Sequence, residues 1–193
     1  AAGGKPVTDH SAPGGRDWNV LACNIPPPLA TIELMSLVVV GSVAYDGVET
    51  PHGKADRMLG GACTYISLAA SFFTTVNLVG VVGEDFAQED YDLLAGRGVD
   101  LQGLERAPGR TFFWAGVYSE DMNDRTTLTT DLNVFAGFDP KLPESYRAQP
   151  YLLLGNIQPS LQIRVRNQMA AGTRIVAGDT MNLWINTTPD DLK

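Results

Sequence analysis

Asp46 stands a few residues beyond an apolar run at 37–40 that ends in Gly41-Ser42. Gly60-Gly61 lies between a short extended pair, Met58-Leu59, and an apolar helical stretch at 62–73. A carboxylate accepts hydrogen bonds from hydroxyl groups, and a turn without side chains lets backbone N–H groups approach a ligand. In an open α/β sheet the ligand crevice lies beyond the carboxyl ends of the strands, so the pair describes a pocket for a polyhydroxylated ligand, a sugar or nucleoside. Each residue also has a plainer reading: Asp46 could cap a turn, and Gly60-Gly61 could serve only to lead the chain into a helix. Tyr65, one turn into that helix, either lines the pocket or packs in the core. Asn133 and Asn156 follow predicted strands and could reach the crevice, although strand-terminal Asn is commonly a turn residue. Asp179 and Asn182 follow a late strand.

The elements that must hold these residues follow from hydrophobic periodicity. A strand is predicted at 37–40, short polar extended segments at 47–59, a helix at 62–73 and a core strand at 76–82. The run 85–97 reads as a helix with Phe86, Tyr91, Leu93 and Leu94 as its buried stripe, and Gly83-Glu84-Asp85 as a turn with Asp85 capping it. Segments 111–119 and 126–132 flank Glu120-Asp121-Met122-Asn123-Asp124, a pentad typical of a hairpin. Buried strands at 151–154 and 174–176, with a helix at 161–171 between them, restore the alternation expected of a mostly parallel sheet. The segments near 47–59 and 111–132 are extended and polar on one side, and are expected to pair into a small sheet that closes over the crevice as a lid.

The chain has 193 residues, of which 44% are hydrophobic and 19% charged, the composition of a globular domain with a real core. A formal net charge of -8, with fourteen scattered Lys and Arg, argues against nucleic acid as a partner. No apolar run approaches the roughly 20 residues that span a bilayer, so no membrane partner is expected and a cytoplasmic location is. Cys23, Cys63, His10 and His52 carry neither a disulfide framework nor a metal-ligand spacing. Residues 1–34 show no helical or alternating pattern and lack the parts of a secretory signal. They read as an unstructured leader that is not native, with Met35 as the expected natural start.

Taken in order, the motifs are specific enough that residues 35–193 resemble the N-terminal portion of the ribokinase-like, or PfkB, family of carbohydrate kinases. Val40-Gly41-Ser42-Val43-Ala44-Tyr45-Asp46 is similar to that family's first strand and substrate-binding Asp, and Leu59-Gly60-Gly61-Ala62 to its Gly-Gly signature. Val79-Gly80-Val81-Val82-Gly83-Glu84-Asp85-Phe86 resembles its Gly-x-Val-Gly-x-Asp stretch. Thr130-Asp131-Leu132-Asn133 occupies the place of a segment after the lid, and Asp179-Thr180-Met181-Asn182 that of an Asp-x-Asn element. Tyr65 stands where ribokinases proper carry Asn, so ribose is not implied as the substrate.

The resemblance implies an α/β fold, an open mostly parallel sheet flanked by helices with a small β-sheet lid. It also implies phosphoryl transfer from ATP, with Mg²⁺, to a hydroxyl of a sugar or nucleoside, a reaction dominated by positioning and charge stabilisation. Asp46 then grips substrate hydroxyls and is not the base, while Asp179 and Asn182 fall on the phosphate side. The family's Gly-Ala-Gly-Asp, which supplies the base and an anion hole, does not occur in these 193 residues. The C-terminal part of the fold is therefore expected to be missing, and the catalytic base and ATP site with it. A non-catalytic fragment or sugar-binding module, dimerising through the lid, is the alternative. Neither a P-loop nor the Gly-x-Gly-x-x-Gly of an NAD-dependent oxidoreductase is present.

Overall fold

The computed structural model describes residues 36–192; the segment read as a leader, His10 and Cys23 within it, and the start expected at Met35 lie outside the described residues. The apolar run becomes β1 (Ser36–Val40), followed by β2 (Ala44–Thr50), β3 (Gly53–Gly60) and α1 (Ala62–Ala70). Next come β4 (Thr75–Val82), α2 (Gln88–Gly96), β5 (Val99–Arg106), β6 (Phe112–Tyr118) and β7 (Arg125–Asp131). A 3-10 turn (Asn133–Gly137), α3 (Glu144–Arg147), β8 (Tyr151–Leu154), α4 (Pro159–Arg166), β9 (Ile175–Gly178) and α5 (Asn182–Thr187) complete it.

Five strands form one sheet in the order β5-β4-β1-β8-β9, and every neighbouring pair is parallel. Strand alternation divides its side chains between two dry layers. Val39, Val76 and Leu78 meet Cys63, Phe86 and Leu94 from the side of α1 and α2. Val38, Val40 and Val79 meet Phe138, Leu142, Tyr146 and Val165 on the opposite side. Both faces of β1 are thus buried, which is why its sequence is apolar without alternation. This is the expected α/β fold, with helices on both faces of a parallel sheet.

The segments expected to pair do so. A four-stranded sheet runs β3-β2-β6-β7, with antiparallel hairpins at either side and a parallel β2–β6 contact at its centre. Asp46 is not in the loop after β1 but inside β2, level with Met58 on β3 and Trp114 on β6.

The structure differs from these expectations at several points. Strand β9, expected to be buried, is exposed along its whole length, being the outer strand of the parallel sheet. Strand β5 was not foreseen; it is an edge strand whose inward residues Val99 and Leu101 are buried while its other face is polar, too little apolar patterning to stand out. Leu93, expected in the buried stripe of α2, is 46% exposed, because the helix starts at Gln88 and sets Leu94, not Leu93, against the sheet. Helix α1 ends at Ala70, leaving Phe72 and Phe73 exposed, and α4 ends at Arg166. Asp85 does not cap α2, whose N-cap is Ala87 without a side-chain hydrogen bond.

Candidate functional site

Successive residues of a strand project to opposite faces, so Tyr45 and Asp46 send their side chains to opposite sides of the small sheet. Each side meets the end of the parallel sheet through a different groove.

On the Asp46 side, the sheet faces the N-terminus of α1. Both glycines are required there by space. A Cβ on Gly60 would lie 2.3 Å from the Asp46 Cγ, so only glycine leaves room for the carboxylate. Gly61 has φ 91°, in the left-handed region that favours glycine, and a Cβ on it would fall 2.4 Å from the Ser42 carbonyl oxygen. Ser42 caps α1 from another part of the chain: its hydroxyl accepts from the Ala62 N–H at 3.1 Å and its carbonyl from the Cys63 N–H at 2.9 Å. The glycine pair therefore admits the carboxylate and Ser42, and the Gly61 N–H is turned to Asp46.

Asp46 is half-buried, and burial raises its pKa above the ordinary carboxylate value, partly offset by the backbone N–H of Gly61. Beside it runs a groove of about 300 Å³ lined by Asp46, Gly61, Tyr65, Trp114, Tyr118 and Arg125 among others. Tyr65 is 49% exposed, with its hydroxyl donating to the Leu59 carbonyl at 2.9 Å, so it lines the groove and does not pack in the core.

On the Tyr45 side lies a second groove, about 340 Å³, reached by Arg57, Asp85, Arg110, Thr111 and Asn133. Here the polar groups largely satisfy one another. The Tyr45 hydroxyl donates to Asp90 Oδ2 at 2.6 Å and accepts from the Ala87 N–H at 2.9 Å. Arg57 lies 3.8 Å over the Tyr45 ring and pairs with Asp85 at 3.3 Å. Asp85 Oδ1 accepts from both the N–H and the hydroxyl of Thr111, at 2.7 and 2.8 Å. Burial of Asp85 acts to raise its pKa, but those two bonds and the Arg57 charge outweigh it and hold the carboxyl below the ordinary value.

The structure thus brings Asp46, Gly60, Gly61 and Tyr65 together. Asn133 goes elsewhere: it has φ 49°, its Nδ2 donates to the Thr111 carbonyl at 2.9 Å, and it lines the groove on the Tyr45 side. It is a turn residue, as strand-terminal Asn commonly is. Asn156 sits on the rim just beyond β8, where its Oδ1 accepts from Trp184 Nε1 at 2.9 Å. Asp179 and Asn182 lie beyond β9 on the same rim, both exposed; Gln162 Nε2 ties the Gly155 and Asp179 carbonyls together at 2.8 and 2.9 Å. Sequence reasoning missed Trp114, Tyr118 and Arg125, and the alternation of Phe112, Trp114 and Tyr118 along β6 was the signal that could have found them.

No protein-family model matches the chain. A cytidine kinase of Thermococcus kodakarensis is 28% identical over 137 residues, which cover 70% of this chain and 49% of that protein. Among solved structures, the nucleoside kinase of Methanocaldococcus jannaschii, an archaeal member of the ribokinase family, superposes with a TM-score of 0.61 at 15% identity, over 82% of this chain and 56% of its own. The ribokinase of Cryptococcus neoformans in complex with ADP gives a TM-score of 0.60 at 17% identity, over 81% of this chain and 52% of its own. The chain spans about half the length of these relatives, 49% to 56%. Its fold is that of the ribokinase-like kinases, and its resemblance to the N-terminal portion of the PfkB family is borne out by the architecture and by this partial coverage.

Proposed function

We propose that the whole protein transfers the γ-phosphoryl group of ATP to a hydroxyl of a sugar or nucleoside, and that these 193 residues supply the substrate side of the site. The observation that carries this reading is the Asp46 carboxylate, set at the carboxyl end of the parallel sheet beside the start of α1, in the room that Gly60 leaves for it and at the side of an open groove. A carboxylate there holds substrate hydroxyls by accepting their protons' hydrogen bonds, and the positive end of α1 favours its ionised form. The kinase names of the relatives support the reaction class, and the ADP bound to the Cryptococcus ribokinase supports the phosphoryl donor.

The described residues do not themselves fit ATP or Mg²⁺. Asp179 and Asn182 offer one exposed carboxylate and no cation, and no group of three or more His, Cys, Asp or Glu among the described residues could hold a metal. The base and the nucleotide contacts belong, in this reading, to residues outside these 193. No helix among the described residues is long and apolar enough to cross a membrane, and the proposal places the reaction in the cytoplasm.

A second reading, a sugar-binding module that dimerises through the small sheet, is favoured by the outer edges of β3 and β7, which pair with no further strand among the described residues and where Met58 and Leu128 are exposed. Turnover decides between them. The complete protein is assayed with ATP and Mg²⁺ on a panel of sugars and nucleosides, and Asp46→Ala is expected to raise KM or abolish turnover. Unchanged kinetics in that variant would remove Asp46 from the pocket.

A further inference from the structure

The Asp46 groove carries a feature that a hydroxyl-gripping carboxylate does not need. Trp114 is the lateral neighbour of Asp46 across the parallel β2–β6 pair and shares its face of the sheet. Its indole extends along the sheet over Gly116, where a Cβ would lie 2.4 Å from Cη2 and 2.6 Å from Cζ2. The glycine is what lets the ring lie down rather than stand away from the strand. Its Nε1–H is directed sideways to the neighbouring strand, donating a long 3.4 Å bond to the hydroxyl of Thr127, which pairs with Gly116. The surface left to the half-buried ring is therefore its π-face, in a groove whose far end is Tyr118 and its cross-strand partner Arg125.

We propose that this face of Trp114 seats a planar aromatic base, so that the ligand is a nucleoside and not a free sugar; this rests on the reading of the Asp46 groove as a substrate site. Neighbouring strands are about 4.8 Å apart, so a hydroxylated ring held by Asp46 lies beside the indole and not above it. What covers the indole is a second ring bonded directly to the first. That is the build of a ribonucleoside, and base–aromatic stacking tolerates any base because every base has a π-face.

The test is calorimetric titration of the 193-residue chain with cytidine, adenosine and D-ribose, alongside variants Asp46→Ala, Trp114→Ala, Trp114→Phe and Trp114→Leu. Both nucleosides are expected to bind on the order of tenfold or more tightly than D-ribose. Trp114→Ala should remove that advantage while leaving ribose affinity in place, and Trp114→Phe should keep most of it. Trp114→Leu preserves apolar volume without a π-face, and answers the question should the Ala variant fail to fold. Ribose binding as tightly as the nucleosides, with Asp46→Ala still weakening it, overturns the base platform alone. Binding of none of the three ligands, or binding that ignores Asp46, overturns the substrate-site reading and the platform with it.

Discussion

The two faces of the small sheet differ in how far their polar groups are already engaged. On the Tyr45 face, Tyr45, Arg57, Asp85 and Thr111 hold one another with short bonds and an ion pair, and together they fasten the sheet to the loop after β4. On the Asp46 face, one half-buried carboxylate has the backbone N–H of Gly61 as its named partner and a pKa raised by burial. The groove on the fastened face is the slightly larger, about 340 against 300 Å³, yet its acceptors are largely occupied. Size therefore does not mark the site; an acceptor held ready at a desolvation cost does. One face builds the joint and the other waits for a ligand.

The sharpest way to break that contrast is at Gly61. Gly61→Val imposes a positive φ on a β-branched residue and drives its Cβ into the Ser42 carbonyl, 2.4 Å away. A loss of about 3 kcal/mol is expected, read by chemical denaturation. A variant as stable as the parent would mean that α1 is not held by this close approach.

Next comes the joint itself. Asp85→Ala strips two hydrogen bonds from Thr111, a buried residue, and one ion pair from the exposed Arg57. We expect a loss of roughly 2 kcal/mol at neutral pH, nearly all from the hydrogen bonds. Because the Asp85 pKa is depressed, its contribution is complete above the ordinary carboxylate range and is lost as pH falls through the depressed value. The parent and variant denaturation curves should then converge in strong acid; a constant gap would show that ionisation of Asp85 is not the source.

Asp46→Asn should behave in the opposite sense. A carboxyl with a raised pKa binds more protons in the folded than the unfolded chain between the ordinary and raised values, so stability declines as pH climbs through that interval. The amide removes this decline, leaving the variant at least as stable as the parent at neutral pH while ligand affinity falls. A destabilised variant with intact binding would reverse the assignment of the two faces. The smallest effect is expected at Arg110, which lines the fastened groove but is exposed and has no named partner among the described residues. Arg110→Ala should change stability by no more than about 0.5 kcal/mol, and a larger loss measured by thermal melting would reveal a contact in that groove.

Much of this was legible from local pattern. The apolar runs at 37–40 and 76–82 announce strands buried on both faces, that at 151–154 a strand buried on one face and half-buried on the other, and the ordered motifs from Gly41 to Asp85 point to the ribokinase-like fold. Asp46 and Gly60-Gly61 could be paired because a carboxylate and a side-chain-free turn are informative residue types wherever they occur. Strand β5 escaped notice because an edge strand buries only one face, and Leu93 was misplaced because a shift of one residue rotates a helix by about 100°.

What the sequence settled by itself was where most of the strands lie, the edge strand β5 excepted, and which residue types are chemically notable, since those follow from composition and period within a few residues. The tertiary structure alone decided which notable residues share a face. Tyr45 and Asp46 are adjacent in the chain yet open onto different grooves, Asn133 joins the Tyr45 side, and Trp114 comes beside Asp46 from 68 positions away through the register of two parallel strands. Alternation fixes that neighbours diverge, but only long-range strand pairing fixes what each of them meets.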